Sequence, residues 1–219
     1  MPRIARVLGL FALAAFLGVE PGCAGMGLRR PAGPIVTRSA AGAKAYAPDF
    51  TTAVYEPTTV AAADIYLTDL PIERLLDPRD NLSGLSGTIL QMRLFLVPRA
   101  GNTPISNEAC NITIRQFVLS SADTDSPEVG VYGGGGFLLP TDEPGGAKVG
   151  GTMSGVTLRL LERTARFHDQ LGPSEVAGSF SAREDARTSR AIAARLRSLL
   201  ERADLPADDQ STSIESPNE

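Results

Sequence analysis

The stretch "TILQMRLFLVP", residues 88–98, decides the fold class. Leu90, Met92, Leu94 and Leu96 recur at every second position, while Gln91 and Arg93 open the other face. Side chains of a strand alternate between the two sides of a sheet, so this period marks a β-strand with one face on a core. Phe95 and Val97 make its far end apolar on both sides, which predicts cover on both faces there. Pro98 has no N–H for a ladder and ends the run.

The same alternation returns on either side. In "AADIYLTDL" (62–70), Ile65 and Leu67 alternate with Tyr66 and Thr68, and "NITIRQFVLSS" (111–121) puts Ile112, Ile114 and Val118 on one face. "VTLRLLER" (156–163) groups Val156, Leu158 and Leu160, and "VAGSFSA" (176–182) is a further short strand. Between the first two strands, "PIERLLDP" (71–78) predicts one or two helical turns between Pro71 and Pro78. Strands separated by polar, Gly- or Pro-containing loops predict a mainly β fold, an antiparallel β-sandwich or sheet.

One long amphipathic helix is expected over 182–203, packed on that sheet. Ser181 and Glu184 have capping-box spacing, and Ile192, Ala193, Leu196, Leu199, Leu200 and Ala203 form one apolar stripe. Arg183, Arg187, Arg190, Arg195, Arg197 and Arg202 fall outside the stripe, which predicts arginines in water. Residues 204–219 are polar and acidic and are expected to be a disordered tail. The domain organisation expected is residues 1–22 as signal peptide, 23–61 as flexible tether with a short strand near "AVY" (53–55), and 62–203 as one β-rich domain.

The signal assignment rests on Arg3 and Arg6 followed by an uncharged apolar run from Val7 to Val19. That run is shorter than the roughly 20 residues a membrane-crossing helix needs, and it fits the apolar region of a secretory signal. Gly22 followed by Cys23 resembles the lipobox of bacterial lipoproteins, although Glu20 and Pro21 stand where that motif has an aliphatic and a small residue. The resemblance covers residues 1–23 only. It implies that the Cys23 thiol is acylated and that the mature protein is anchored to a membrane. The alternative is cleavage after Ala24, which releases a soluble secreted chain.

Removing Arg3, Arg6 and Glu20 with residues 1–22 takes the formal charge from −4 to −5. Such an acidic chain, with aromatics at 5% and no Trp, argues against nucleic-acid partners and stacking platforms. Cys110 is the second of two cysteines and, in "EACNITI", is expected to be a small buried hydrophobe, with a bond to Cys23 in an unacylated chain and a reactive nucleophile as the alternatives.

"GVYGGGGFLLP" (130–140) raises the question of a phosphate loop. A Walker loop needs Lys and Ser or Thr directly after its last glycine and then a helix. Here Phe-Leu-Leu-Pro follows Gly136, so no nucleotide is expected. The run is instead expected to be a hairpin bend, with Val131 and Tyr132 pairing across it to Phe137 and Leu138. Tyr132, Gly133, Gly134, Gly135, Gly136 and Phe137 then form a side-chain-poor contact surface for a partner.

No catalytic constellation emerges. His168 is the one histidine, beside Asp169, and no G-x-S-x-G frame accompanies any serine. Asp123, Asp125 and Glu128 in "SADTDSPE" are weak calcium candidates, since Pro127 interrupts them and the EF-hand glycine is missing. No cofactor is expected. These observations predict a non-enzymatic cell-envelope protein that binds an unknown protein or envelope component or serves a structural role. The alternatives are a secreted hydrolase and a calcium-dependent adhesion module.

Overall fold

A computed structural model describes residues 34–42, 44–95, 97, 110–121, 126–203 and 205–206. Six strands follow one another as an antiparallel meander: β3 (Thr52–Thr59), β4 (Ala62–Thr68), β5 (Gly87–Leu94), β6 (Ile112–Ser120), β7 (Glu128–Pro140) and β8 (Lys148–Arg163). β9 (Ser174–Glu184) then pairs antiparallel with β8, and parallel with β3 through Val54/Arg183 and Tyr55/Glu184. The expected antiparallel sheet with a C-terminal helix is therefore present, and β9 joins its two ends so that seven strands enclose one interior. Closure leaves no long unpaired edge along this circuit.

Two shorter pieces extend the circuit. β1 (Val36–Ser39) and β2 (Ala45–Tyr46) form a hairpin that pairs with the first half of β9, Val36 opposite Ala177 and Ser39 opposite Ser174. β10 (Leu205–Pro206) pairs with the end of β8. Residues 34–42 and 44–59 thus belong to the folded domain, which corrects the expected tether over that part of 23–61; residues 23–33 lie outside the described residues. Ile35, Phe50, Ala53, Val54 and Tyr55 are all buried there. Their irregular spacing hid them from a periodicity argument, since they serve two different apolar layers.

Alternation sorts side chains between those layers. Tyr55, Ile65, Leu67, Leu90, Met92, Leu94, Ile112 and Ile114 fill the interior. Their neighbours Val54, Tyr66, Ile89, Phe117 and Leu119 point outward and lie beneath two helices, α1 (Ile72–Leu76) and α2 (Ala186–Arg202). The predicted stripe Ile192, Ala193, Leu196, Leu199, Leu200 and Ala203 packs there in full. Each large apolar side chain so buried contributes about 1.5–3 kcal/mol by leaving water.

The helix starts later than its sequence suggests. Residues 182–184 continue β9, and Asp185 is the N-cap, its carboxylate accepting from the Thr188 N–H at 3.0 Å and from Thr188 Oγ1 at 2.8 Å. Arg190 reaches Glu56 of β3 at 2.7 Å. Arg195 departs from the expected solvated set: it is half-buried and donates to the Asp80 carbonyl. Phe95 also departs from expectation, being 46% exposed, although Val97 packs on the interior.

The glycine run is a strand, not a bend. β7 passes through it without a break, pairing Gly133 with Arg115 and Gly134 with Ile114 on one side and with Arg159 and Leu158 on the other. Register slips against β8 between Val131 and Tyr132 and again between Gly135 and Phe137. A Cβ on Gly134 would stand 1.8 Å from the Thr157 carbonyl oxygen. Backbone meets backbone there, which only glycine permits, and the two bulges let the paired strands coil tightly.

Candidate binding cavity

Every crossing of the meander returns to one end of the enclosure, where β4, β6 and β8 finish and β5, β7 and β9 begin. A cavity of about 900 Å³ opens at that end. Its apolar lining comes from Val118 of β6, Tyr132 of β7, and Phe167 and Leu171 in the connection between β8 and β9. Its polar lining comes from Lys44 and Tyr46 of the β1–β2 hairpin, Asp69 after β4, and Glu128, Arg166 and His168. The Tyr132 and Phe167 rings meet edge to face, with centroids 6.4 Å apart.

Hydrogen bonds hold this wall. The Tyr132 phenol donates to Asp169 Oδ1 at 2.6 Å, and the same oxygen accepts from the N–H groups of Leu171 (3.0 Å) and Gly172 (2.8 Å). Burial, reinforced by the Asp169 carboxylate, holds the phenol far above its usual range, so it stays a donor. Glu128 accepts from Thr164 Oγ1 and pairs with Arg166 at 3.1 Å. Tyr46 and Asp69 converge on Thr88: the Tyr46 hydroxyl lies 2.7 Å from Thr88 Oγ1, and Asp69 Oδ1 accepts from the Thr88 N–H at 2.6 Å. Burial pushes the Asp69 carboxyl up; the Thr88 N–H opposes this, and Asp49, a second carboxylate, adds to it. Burial also pushes the Tyr46 phenol up, against its Thr88 bond.

Deeper inside, Thr37 Oγ1 donates to Gln116 Oε1 at 3.0 Å, and Gln116 stands in register between Leu90 and Tyr132. Gln116 Nε2 and Ser174 Oγ are buried without a hydrogen-bond partner among the described residues. Buried polar atoms are normally satisfied by protein groups or ordered water, and neither of these two residues is among those that line the cavity.

The residues singled out in the sequence fall unevenly on this geometry. Tyr132 is 1% exposed and faces the interior, so it lines the cavity and is not part of an outer contact surface. Gly133 and Gly136 are buried, Gly135 and Phe137 half-buried, and Gly134 exposed. His168 sits at the cavity with its side chain exposed, and Asp169 is occupied by Tyr132 and the two N–H groups. Cys110 is exposed, which corrects the expected buried hydrophobe; its thiol lies 3.2 Å from the Ile112 carbonyl oxygen. Among the calcium candidates, Glu128 is already engaged by Thr164 and Arg166, and Asp123 and Asp125 lie outside the described residues, as does Cys23. Among the described residues no cluster of three or more His, Cys, Asp or Glu is placed to hold a metal ion.

Sequence reasoning missed Lys44, Tyr46, Asp69, Phe167 and Leu171. The apolar pair flanking His168 in "RFHDQL" was the available signal, since Phe167 and Leu171 are four apart around polar residues. No protein-family model matches the chain, and comparison with curated proteins and with solved structures finds no match.

Proposed function

We propose that this chain is a non-enzymatic, exported cell-envelope protein whose closed sheet binds a small, largely apolar molecule at its open end. The observation that carries the reading is the 900 Å³ cavity with Val118, Tyr132, Phe167 and Leu171 on its walls and charged groups beside them. Ligand sites are typically concave, apolar and about 300–1,000 Å³, with a few polar groups fixing orientation, and the mouths of β-barrels commonly supply them. Envelope placement is supported by the leading Arg3 and Arg6, the apolar run and the Gly22–Cys23 pair. Acylation of Cys23 would tether this binding domain to a leaflet.

A hydrolase is the weaker reading. Tyr46, Tyr132 and Glu128 face the cavity already engaged with Thr88, Asp169, and Thr164 with Arg166, respectively. Glu128 does accept from a hydroxyl, but Thr164 Oγ1 is itself held by the Val129 N–H at 3.0 Å and Thr164 is not among the residues that line the cavity.

The test uses the uncharged fluorophore N-phenyl-1-naphthylamine. Saturable one-to-one binding by the wild type is expected, and its loss in Val118→Trp and Leu171→Trp with the thermal midpoint preserved. Non-saturable binding, or binding indifferent to both variants, overturns the reading. Intact mass of protein from its own cells checks the anchor: a diacylated or triacylated Cys23 terminus supports it, and a plain Gly25 terminus refutes it.

A further inference from the structure

We propose that the cavity's ligand carries a protonated amine, which seats against the Asp69 carboxylate beside the Tyr46 ring. The inference rests on the binding role proposed above and adds the chemical class of guest. Asp69 is half-buried in the cavity wall. Its Oδ1 is held by the Thr88 N–H at 2.6 Å. Gly87 makes that seat: a Cβ there would stand 2.6 Å from Asp69 Oδ1 and 2.6 Å from Leu70 Cδ2. An alanine would therefore push the carboxylate off its position.

Charge balance then selects the guest. Among the described residues no lysine or arginine is paired with Asp69. Arg166, the arginine of the lining, is committed to Glu128, and Lys44 is exposed. Burial disfavours the Asp69 carboxylate, and the neighbouring Asp49 disfavours it further. A carboxylate taken out of water without a counter-charge is costly, and a ligand ammonium placed there removes that cost. Tyr46 adds a second attraction. Its hydroxyl is fixed on Thr88, the residue that also holds Asp69, which leaves its ring at the same corner of the cavity. Aromatic faces attract cations through their quadrupole. The hydrocarbon part of the guest then has Val118, Phe167 and Leu171 to cover it.

Calorimetric titration at pH 7 with decylamine, decanol and decanoate, each below its micelle or solubility limit, separates the cases. The amine is expected to bind about tenfold more tightly than the alcohol, the worth of one hydrogen-bonded charge. The carboxylate should be the weakest of the three. Asp69→Asn keeps the acceptor for Thr88 and should bring the amine down to the level of the alcohol. Equal binding of all three compounds by the wild type overturns the amine assignment and leaves the cavity reading intact, and this result does not depend on the variant folding. A carboxylate preference, or an amine preference that survives Asp69→Asn, also overturns it. Failure of all three to bind removes both inferences together.

Discussion

The Tyr132 phenol donates to Asp169 Oδ1 at 2.6 Å and so ties the middle of β7 to the connection that walls the cavity. Tyr132→Phe deletes this bond and leaves Asp169 its two backbone donors from Leu171 and Gly172. The expected cost is about 1–2 kcal/mol, because one hydrogen bond to a charged group is lost without orphaning the carboxylate. Urea denaturation would read it as a lower midpoint at unchanged slope. Amide exchange at Leu171 and Gly172 should quicken more than exchange in α2.

At Gly134 a methyl group would collide with the Thr157 carbonyl oxygen 1.8 Å away. Gly134→Ala must separate two paired strands, and a loss of roughly 3 kcal/mol or more is expected. Gly146→Ala is the contrast, since its nearest neighbours would be at 3.6 and 3.7 Å. It should be close to neutral in thermal melts. Equal tolerance at both sites would show that the run is a loop after all.

Asp185, and not Ser181, caps α2 through Thr188. Asp185→Ala is expected to cost about 1 kcal/mol. Ser181→Ala should change stability by only a few tenths, roughly the scatter of surface substitutions. Chemical denaturation of the two variants side by side distinguishes the cap in the fold from the one in the sequence pattern.

The Asp80 carboxyl is lowered to about 2 from 3.8 because Arg74 donates to it at 2.6 and 2.9 Å and the Leu82 N–H donates at 2.7 Å. That cluster also steadies Leu82, buried beneath α2 at φ 61°. A lowered folded-state pKa means that the unfolded chain binds more protons between those two values. The contribution is whole above pH 3.8 and drains as pH falls toward about 2. Asp80→Asn should weaken the protein at neutral pH and flatten the acid side of its stability profile, as measured by urea midpoints from pH 2 to 6.

Period-two alternation in β4, β5 and β6 and the apolar stripe of α2 were legible in the sequence, because each is a local record of which side of an element is dry. The same residues carry no record of what stands opposite. Closure is one consequence: it depends on β9 meeting both β8 and β3, with over a hundred residues of chain between Val54 and Arg183. The glycine run is another. Its local chemistry suits a bend or a strand equally, and the approach of Thr157 to Gly134 decides between them. The cavity was the least legible feature, since Tyr46, Asp69, Val118, Tyr132 and Phe167 reach it from separate segments. Their convergence is a product of strand register and closure, which only the tertiary structure supplies.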